Sequence, residues 1–158
     1  MSAKVRPSPG SPWLIVGGWL SVAASLLHIG CIIGGPEWYR FFGAGEEIAL
    51  AAERGEWGPP IMTFGIAAVL AIWGAYAFSG AGKLPRLFLL RTGLIVIAAI
   101  YLLRGLVLIP LWIAEPEIVD AFVIWSSLIV LAYGIAYAVG TWRAWPELKP
   151  APKSAPKS

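Results

Sequence analysis

The sequence predicts an all-α protein: an integral membrane four-helix bundle with an amphipathic extracytoplasmic segment between helices one and two. Three observations predict it. Four apolar stretches, about 13–34, 60–78, 87–110 and 118–140, approach the ~20 residues a helix needs to cross a ~30 Å hydrocarbon core. Charged residues make up 13% of the chain and hydrophobic ones 58%, against roughly 25% charged in soluble domains. The connections between the stretches also alternate in charge sign, as loops on opposite sides of a membrane do.

Residues 1–12 read as a tail carrying Lys4 and Arg6 and no acid. The first span is longer than the ~7–15 apolar residues of a signal-peptide core and has no Ala-x-Ala cleavage site, so it is expected to be retained. Leu27-His28-Ile29-Gly30-Cys31 looks like a lipobox, but His28 stands where leucine belongs, and Cys31 is read as a buried thiol. As the sole cysteine it excludes an intramolecular disulfide. Gly17, Ser21 and Ser25 recur every four residues, and His28 and Cys31 follow by threes. Small residues at this spacing let membrane helices approach, so this stripe is expected to face the bundle interior.

Residues 36–57 form the amphipathic segment. On a single helical wheel Trp38, Phe41, Phe42, Ile48, Ala49 and Ala52 share one arc, with Arg40, Glu47 and Arg54 opposite. Gly43 and Gly45 are expected to split it into two short helices, with Glu46 and Glu47 at the second amino terminus. Two placements follow. The segment lies on the outer leaflet, or it caps the bundle mouth with Glu46 or Glu53 pointing inward.

The remaining elements complete the orientation. The first connection, from Glu37 to Glu56, carries a net charge of −3; the second carries Lys83 and Arg86, followed by Arg91; the third carries Glu115, Glu117 and Asp120. Lys and Arg mark the cytoplasmic side, which predicts cytoplasmic termini in a multi-pass protein of a cell membrane, the bacterial inner membrane. Trp13, Trp142 and Trp145 then fall at the inner interface, and Trp38, Trp57 and Trp112 at the outer one. Pro110 and Pro116 read as end signals for the third and fourth spans. Residues 13–145 form a single membrane domain. The repeat of Ala-Pro-Lys-Ser within 146–158 predicts a disordered cytoplasmic tail.

Ionisable groups at membrane depth are functional candidates by default. His28, seven residues before Gly35, and Arg104, six before Pro110, are expected at one level, about 10 Å below the outer boundary. Tyr101, Thr63, Asp120, Ser126, Glu46 and Glu53 are expected to join them, either as a ligand site or as a structural polar cluster. His28 can bridge helices as a neutral imidazole or contact a ligand. Arg104 must pair, snorkel or meet water: its expected partner is an acid, with Asp120, Glu46 and Glu115 as candidates, or an anionic or carbonyl-bearing ligand for its guanidinium fork. Gly105 beside it would admit a partner backbone or a ligand.

No cofactor is expected. One histidine, even with Met62, makes a poor haem site, and zinc lacks ligands. Serine-elbow, zincin, Walker and dinucleotide motifs are absent, so no catalytic residue is assigned. Nucleic acid is not an expected partner, because no basic stripe is interleaved with aromatics. The expected role is binding, in an outer-leaflet polar pocket, of a lipid-like or quinone-like amphiphile or of a partner membrane protein. Membrane lipids, a homo-oligomer or a larger complex are the partners in view. A small transporter or channel component would need polar residues through the inner half, where only Tyr76, Tyr133 and Tyr137 occur. A lipid-headgroup enzyme would use His28 as base.

Overall fold

A computed structural model of the protein describes residues 10–148. Seven α-helices follow one another: α1 (Ser11–Gly34), α2 (Pro36–Phe41), α3 (Glu46–Glu53), α4 (Gly58–Gly80), α5 (Leu90–Leu106), α6 (Leu108–Ala114) and α7 (Ala121–Arg143), with a 3-10 turn at Pro116–Ile118. No strand occurs among the described residues. Helices α1, α4, α5 with α6, and α7 give apolar spans of 24, 23, 25 and 23 residues, each long enough to cross a bilayer. The chain is therefore a multi-pass membrane protein built on an all-α four-helix bundle.

The spans run up, down, up and down. Helix α1 packs most extensively on α4, and α5 on α7, while α1 against α7 and α4 against α5 close the ring. Leu14, Ser21, Leu94, Ser127 and Tyr137 are the largest fully buried side chains. Outward-facing residues such as Leu26, Phe64, Ile72, Leu103 and Trp125 are exposed. In water such a surface would drive association, whereas hydrocarbon solvates it.

Glycines set the close approach of α5 and α7. A Cβ at Gly105 would lie 2.8 Å from the Leu131 Cα, and one at Gly134 would lie 2.8 Å from the Leu102 backbone nitrogen. Each helix thus offers a gap three residues from its own leucine, and the two leucines fill the opposing gaps. The expectation that Gly105 admits a neighbour holds, and the neighbour is the α7 backbone.

Several boundaries differ from expectation. Pro110 does not end the third span, which continues to Ala114. The helix is interrupted at Val107 instead. Proline lacks the N–H that would pair with the carbonyl four residues earlier, so its effect falls at Leu106 rather than at its own position. The third span starts at Leu90, not 87, because Leu89 adopts a left-handed φ of 49° as its N-cap. The fourth begins at Ala121, where the Asp120 side chain accepts the Val123 N–H at 2.8 Å.

The termini are only partly described. Of the expected amino-terminal tail, residues 1–9 lie outside the described residues, while Ser11 already opens α1 and donates to the Ala81 carbonyl. Of the expected disordered tail, residues 149–158 lie outside them. Residues 146–148 are folded: Leu148 is 2% exposed, and its carbonyl accepts from the Arg86 guanidinium. Arg91 donates to the Trp145 carbonyl at 2.7 Å, and its guanidinium carbon stands 4.0 Å from the Trp145 ring centroid. These two arginines brace the carboxyl-terminal turn as well as marking the basic end.

Candidate functional site

The acidic end of the bundle is covered by α2 and α3. Glycines in the left-handed region at 35, 43, 45 and 55 make its four corners. The Trp38 ring lies across Gly30 and Gly34, where any side chain would collide with it. Tyr39, Ala49 and Cys31 are buried together, and the Phe122 ring of α7 fills the space beside Gly43. The segment is thereby packed on three of the four spans.

The division into two short helices follows expectation, but the shared arc does not. Trp38 and Phe41 are exposed, while Tyr39, which the single wheel leaves off the arc, is 4% exposed. The break at Gly43–Gly45 resets the helical phase, so one 100° wheel cannot run through both halves. The Tyr39 hydroxyl is buried without a hydrogen-bond partner.

Glu46 and Glu53 do not point inward. Both turn to Arg40, whose guanidinium donates to Glu46 at 2.8 and 3.0 Å, to Glu53 at 2.7 Å and to Glu37 at 3.1 Å. Its five donors in a planar fork make one arginine able to serve three carboxylates. The Arg40 hydrogen bond, aided by its charge, outweighs desolvation and holds the Glu46 carboxyl below the usual glutamate range. The Glu46 and Glu53 contacts in turn raise the Arg40 guanidinium further above neutrality.

The sign for stability follows from a depressed folded value. The contribution is present at neutral pH and is lost as the pH falls through the lowered Glu46 value. A nitroxide at Ala44 is expected to gain mobility only below the ordinary glutamate value of 4.5. Electron paramagnetic resonance reads this directly, and Arg40→Gln should erase the transition. Mobility independent of pH in the native chain would contradict the clasp.

Within the spans, most candidate polar groups bond to their own helix. His28 Nδ1 lies 2.7 Å from the Ala24 carbonyl oxygen. A carbonyl only accepts, so Nδ1 carries the hydrogen and donates. Thr63 donates to the Pro59 carbonyl at 2.8 Å and Ser126 to the Val123 carbonyl at 3.2 Å. Asp120 is spent as the α7 cap. Ser25 reaches across to the Ala67 carbonyl of α4 at 2.8 Å, consistent with the inward stripe.

Arg104 differs. It is exposed on the flank of the bundle, and its only polar contact among the described residues is a 3.3 Å bond from Nη1 to Ser127 Oγ. The expected ion pair with Asp120, Glu46 or Glu115 does not form; the ion pairs among the described residues all lie in the segment 37–56. Because the span runs on to Ala114, the Arg104 Cα sits roughly 15 Å from the acidic end, against roughly 9 Å for that of His28 below Gly34. The Arg104 backbone lies close to mid-span, and its side chain reaches toward the acidic end, to Ser127, six residues inside the start of α7.

Tyr101 belongs to a different constellation, at the centre of the bundle. Ser21 Oγ lies 3.0 Å from Tyr101 Oη and 2.8 Å from Tyr137 Oη, and the Tyr137 hydroxyl donates to the Trp73 carbonyl at 2.9 Å. Each hydroxyl has one proton, which fixes the direction. Tyr137 gives its proton to the carbonyl, Ser21 therefore donates to Tyr137, and Tyr101 donates to Ser21. The chain touches all four spans and joins both diagonal pairs, α1 with α5 and α7 with α4. Tyr101 also meets Trp73 and Tyr133 edge-on, at centroid separations of 4.9 and 5.4 Å.

The eight candidates therefore divide. Glu46 and Glu53 share Arg40, Asp120 and Ser126 share the first turns of α7, and His28, Thr63, Tyr101 and Arg104 stand apart. Sequence reasoning missed Ser21 and Tyr137 as partners of Tyr101. The available signal was the four-residue spacing of Tyr133 and Tyr137, which puts both on one helical face. Among the described residues no three His, Cys, Asp or Glu side chains gather as a metal would require.

The class so defined is a four-span helical membrane protein with a hydroxyl chain at its centre and an unneutralised arginine on its flank. No protein-family model, no curated protein and no solved structure matches the chain.

Proposed function

We propose that the protein is a non-catalytic accessory membrane protein that docks, through Arg104, on a partner's transmembrane segment bearing a carboxylate. The position of Arg104 carries this reading. An arginine at the centre of a span costs ~2.5–3.5 kcal/mol even on the mildest insertion scale, and one neutral hydroxyl does little to offset it. None of the nine acids of the chain falls inside a span, so neither this chain nor a second parallel copy supplies the counter-charge. A carboxylate on a neighbouring helix can stand at that depth and pair with the guanidinium as a fork.

The proposal is tested with a photoreactive residue at Leu103, which is 66% exposed beside Arg104. In native membranes one discrete heteroprotein adduct is expected, lost in Arg104→Gln and kept in Arg104→Lys. Adducts only to a quinone-like or other amphiphile, only to a second copy, or undiminished by Arg104→Gln overturn it.

We further take the protein to reside in a cell membrane, of bacterial inner-membrane type, with both termini cytoplasmic. Lys83, Arg86, Arg91 and Arg143 gather at one end and the acids of both remaining connections at the other, which supports this by the positive-inside rule. On this reading the α2–α3 segment rests at the outer interface through the exposed Trp38, Phe41 and Trp57. Reporter fusions after Gly82 should then report cytoplasm, and those at Gly55 the outside.

A further inference from the structure

The basic end of the bundle holds a groove between α1 and α4 that the Arg104 flank does not touch. Its construction begins with Gly18. A Cβ there would lie 2.9 Å from the Phe78 ring, so glycine lets that ring lie down on α1. Phe78 then meets Trp19 edge-on, with centroids 5.5 Å apart. Trp19 and Ile15 are four residues apart and form one wall.

The far end is set by the way α4 stops. Gly82 takes a φ of 72°, its N–H bonds to the Ser79 carbonyl at 3.0 Å, and the Lys83 N–H bonds to the Phe78 carbonyl at 2.8 Å. This is the Schellman arrangement, which brings the residue after the glycine back over the last helical turn. The sequence places a lysine there. Its aliphatic stem suits the Phe78 side and its ammonium the water.

The resulting cavity measures about 360 Å³ and is lined by Ile15, Trp19, Phe78, Lys83 and Leu84, within the ~300–1,000 Å³ range of small-molecule sites. Lys83 is its only charged group. Arg86 and Arg91, the neighbouring cations, are already bound to the Leu148 and Trp145 carbonyls, whereas no hydrogen bond or ion pair among the described residues engages the Lys83 ammonium. From Ser11 to Trp19 the wall rises roughly 12 Å into the bilayer. An apolar channel entering the membrane from a single cation has the polarity of an anionic lipid.

We propose that this groove binds one anionic phospholipid of the adjacent leaflet, its phosphate on Lys83 and one acyl chain along Phe78, Trp19 and Ile15. The phosphate gains a charge-assisted hydrogen bond, and the chain covers the aromatic pair.

Native mass spectrometry of the detergent-purified full chain tests it. Phosphatidylglycerol and phosphatidylcholine with identical palmitoyl and oleoyl chains are titrated in parallel. One phosphatidylglycerol is expected to bind about tenfold more tightly than phosphatidylcholine. Lys83→Gln should abolish the preference and Lys83→Arg restore it, with unchanged helical circular dichroism. Trp19→Ala should weaken both lipids, because it removes the wall that does not read charge. Equal binding of the two lipids by the native chain, or a preference surviving Lys83→Gln, overturns the proposal. So does displacement of phosphatidylglycerol by inorganic phosphate, which would mark a bare anion site.

Discussion

Gly134→Leu is expected to abolish recovery of monodisperse folded protein, and Gly134→Ala to lower thermal stability severely. Membrane helices gain little from hiding apolar surface, because lipid is as apolar as the neighbouring helix, so they depend on close packing. Helices α5 and α7 achieve it through two reciprocal contacts, Gly105 with Leu131 and Gly134 with Leu102. Even a methyl at 134 would stand 2.8 Å from the Leu102 backbone nitrogen, an atom that cannot step aside alone. Overpacking typically costs ~1–3 kcal/mol where side chains can adjust, and here the backbones must separate along the whole contact. Gly65 is the control: a Cβ there meets nothing within 4 Å, and Gly65→Leu should be close to neutral. Size-exclusion profiles and thermal unfolding in detergent read both. Equal loss from the two substitutions would mean that close α5–α7 packing is not what holds the bundle.

Removing single oxygens from the central chain is expected to give unequal losses, ordered by direction. Tyr101 is the first donor and accepts from nothing, so Tyr101→Phe leaves every other proton placed and should cost the least. Ser21→Ala strands the Tyr101 proton in a residue 5% exposed and deletes the acceptor that joined α1 to α5. Tyr137→Phe strands the Ser21 proton and cuts the link to α4. Leaving a buried donor unpaired costs ~1–3 kcal/mol, and membrane hydrogen bonds average nearer ~0.6 kcal/mol, so about 1–2 kcal/mol is expected for each of these two. The measurement is equilibrium unfolding in mixed micelles, with the Ser21–Tyr137 double mutant closing a thermodynamic cycle. Equal effects of all three substitutions would refute the assigned direction.

The spans and the charged ends were legible because hydropathy and loop charge act over twenty residues at a time. What failed depended on phase or on depth. A helical wheel carries information only while the helix is unbroken, and two glycines between Phe42 and Glu46 erased it. Pro110 reads as a stop in a soluble context, yet within a span the neighbouring helical bonds carry the chain past it, and the Arg104 backbone stands nearer mid-span as a result. Arg40 looked like one solvated charge among many, because a one-dimensional spacing cannot reveal that three carboxylates converge on it. The serine and tyrosines of the central chain come from sites 80 and 116 residues apart, a separation no local pattern encodes.

The bundle can also be regarded as two leaves, α1 with α4 and α5 with α7, meeting along a seam. Tyr101 to Ser21, Ser21 to Tyr137, and Tyr137 to Trp73 each cross that seam, so the chain works as three stitches and not as a relay within one leaf. Opening the leaves breaks all three together, which makes their separation cooperative. Amide exchange in α1 and α7 should accordingly quicken in step, as one unit, when the seam is loosened.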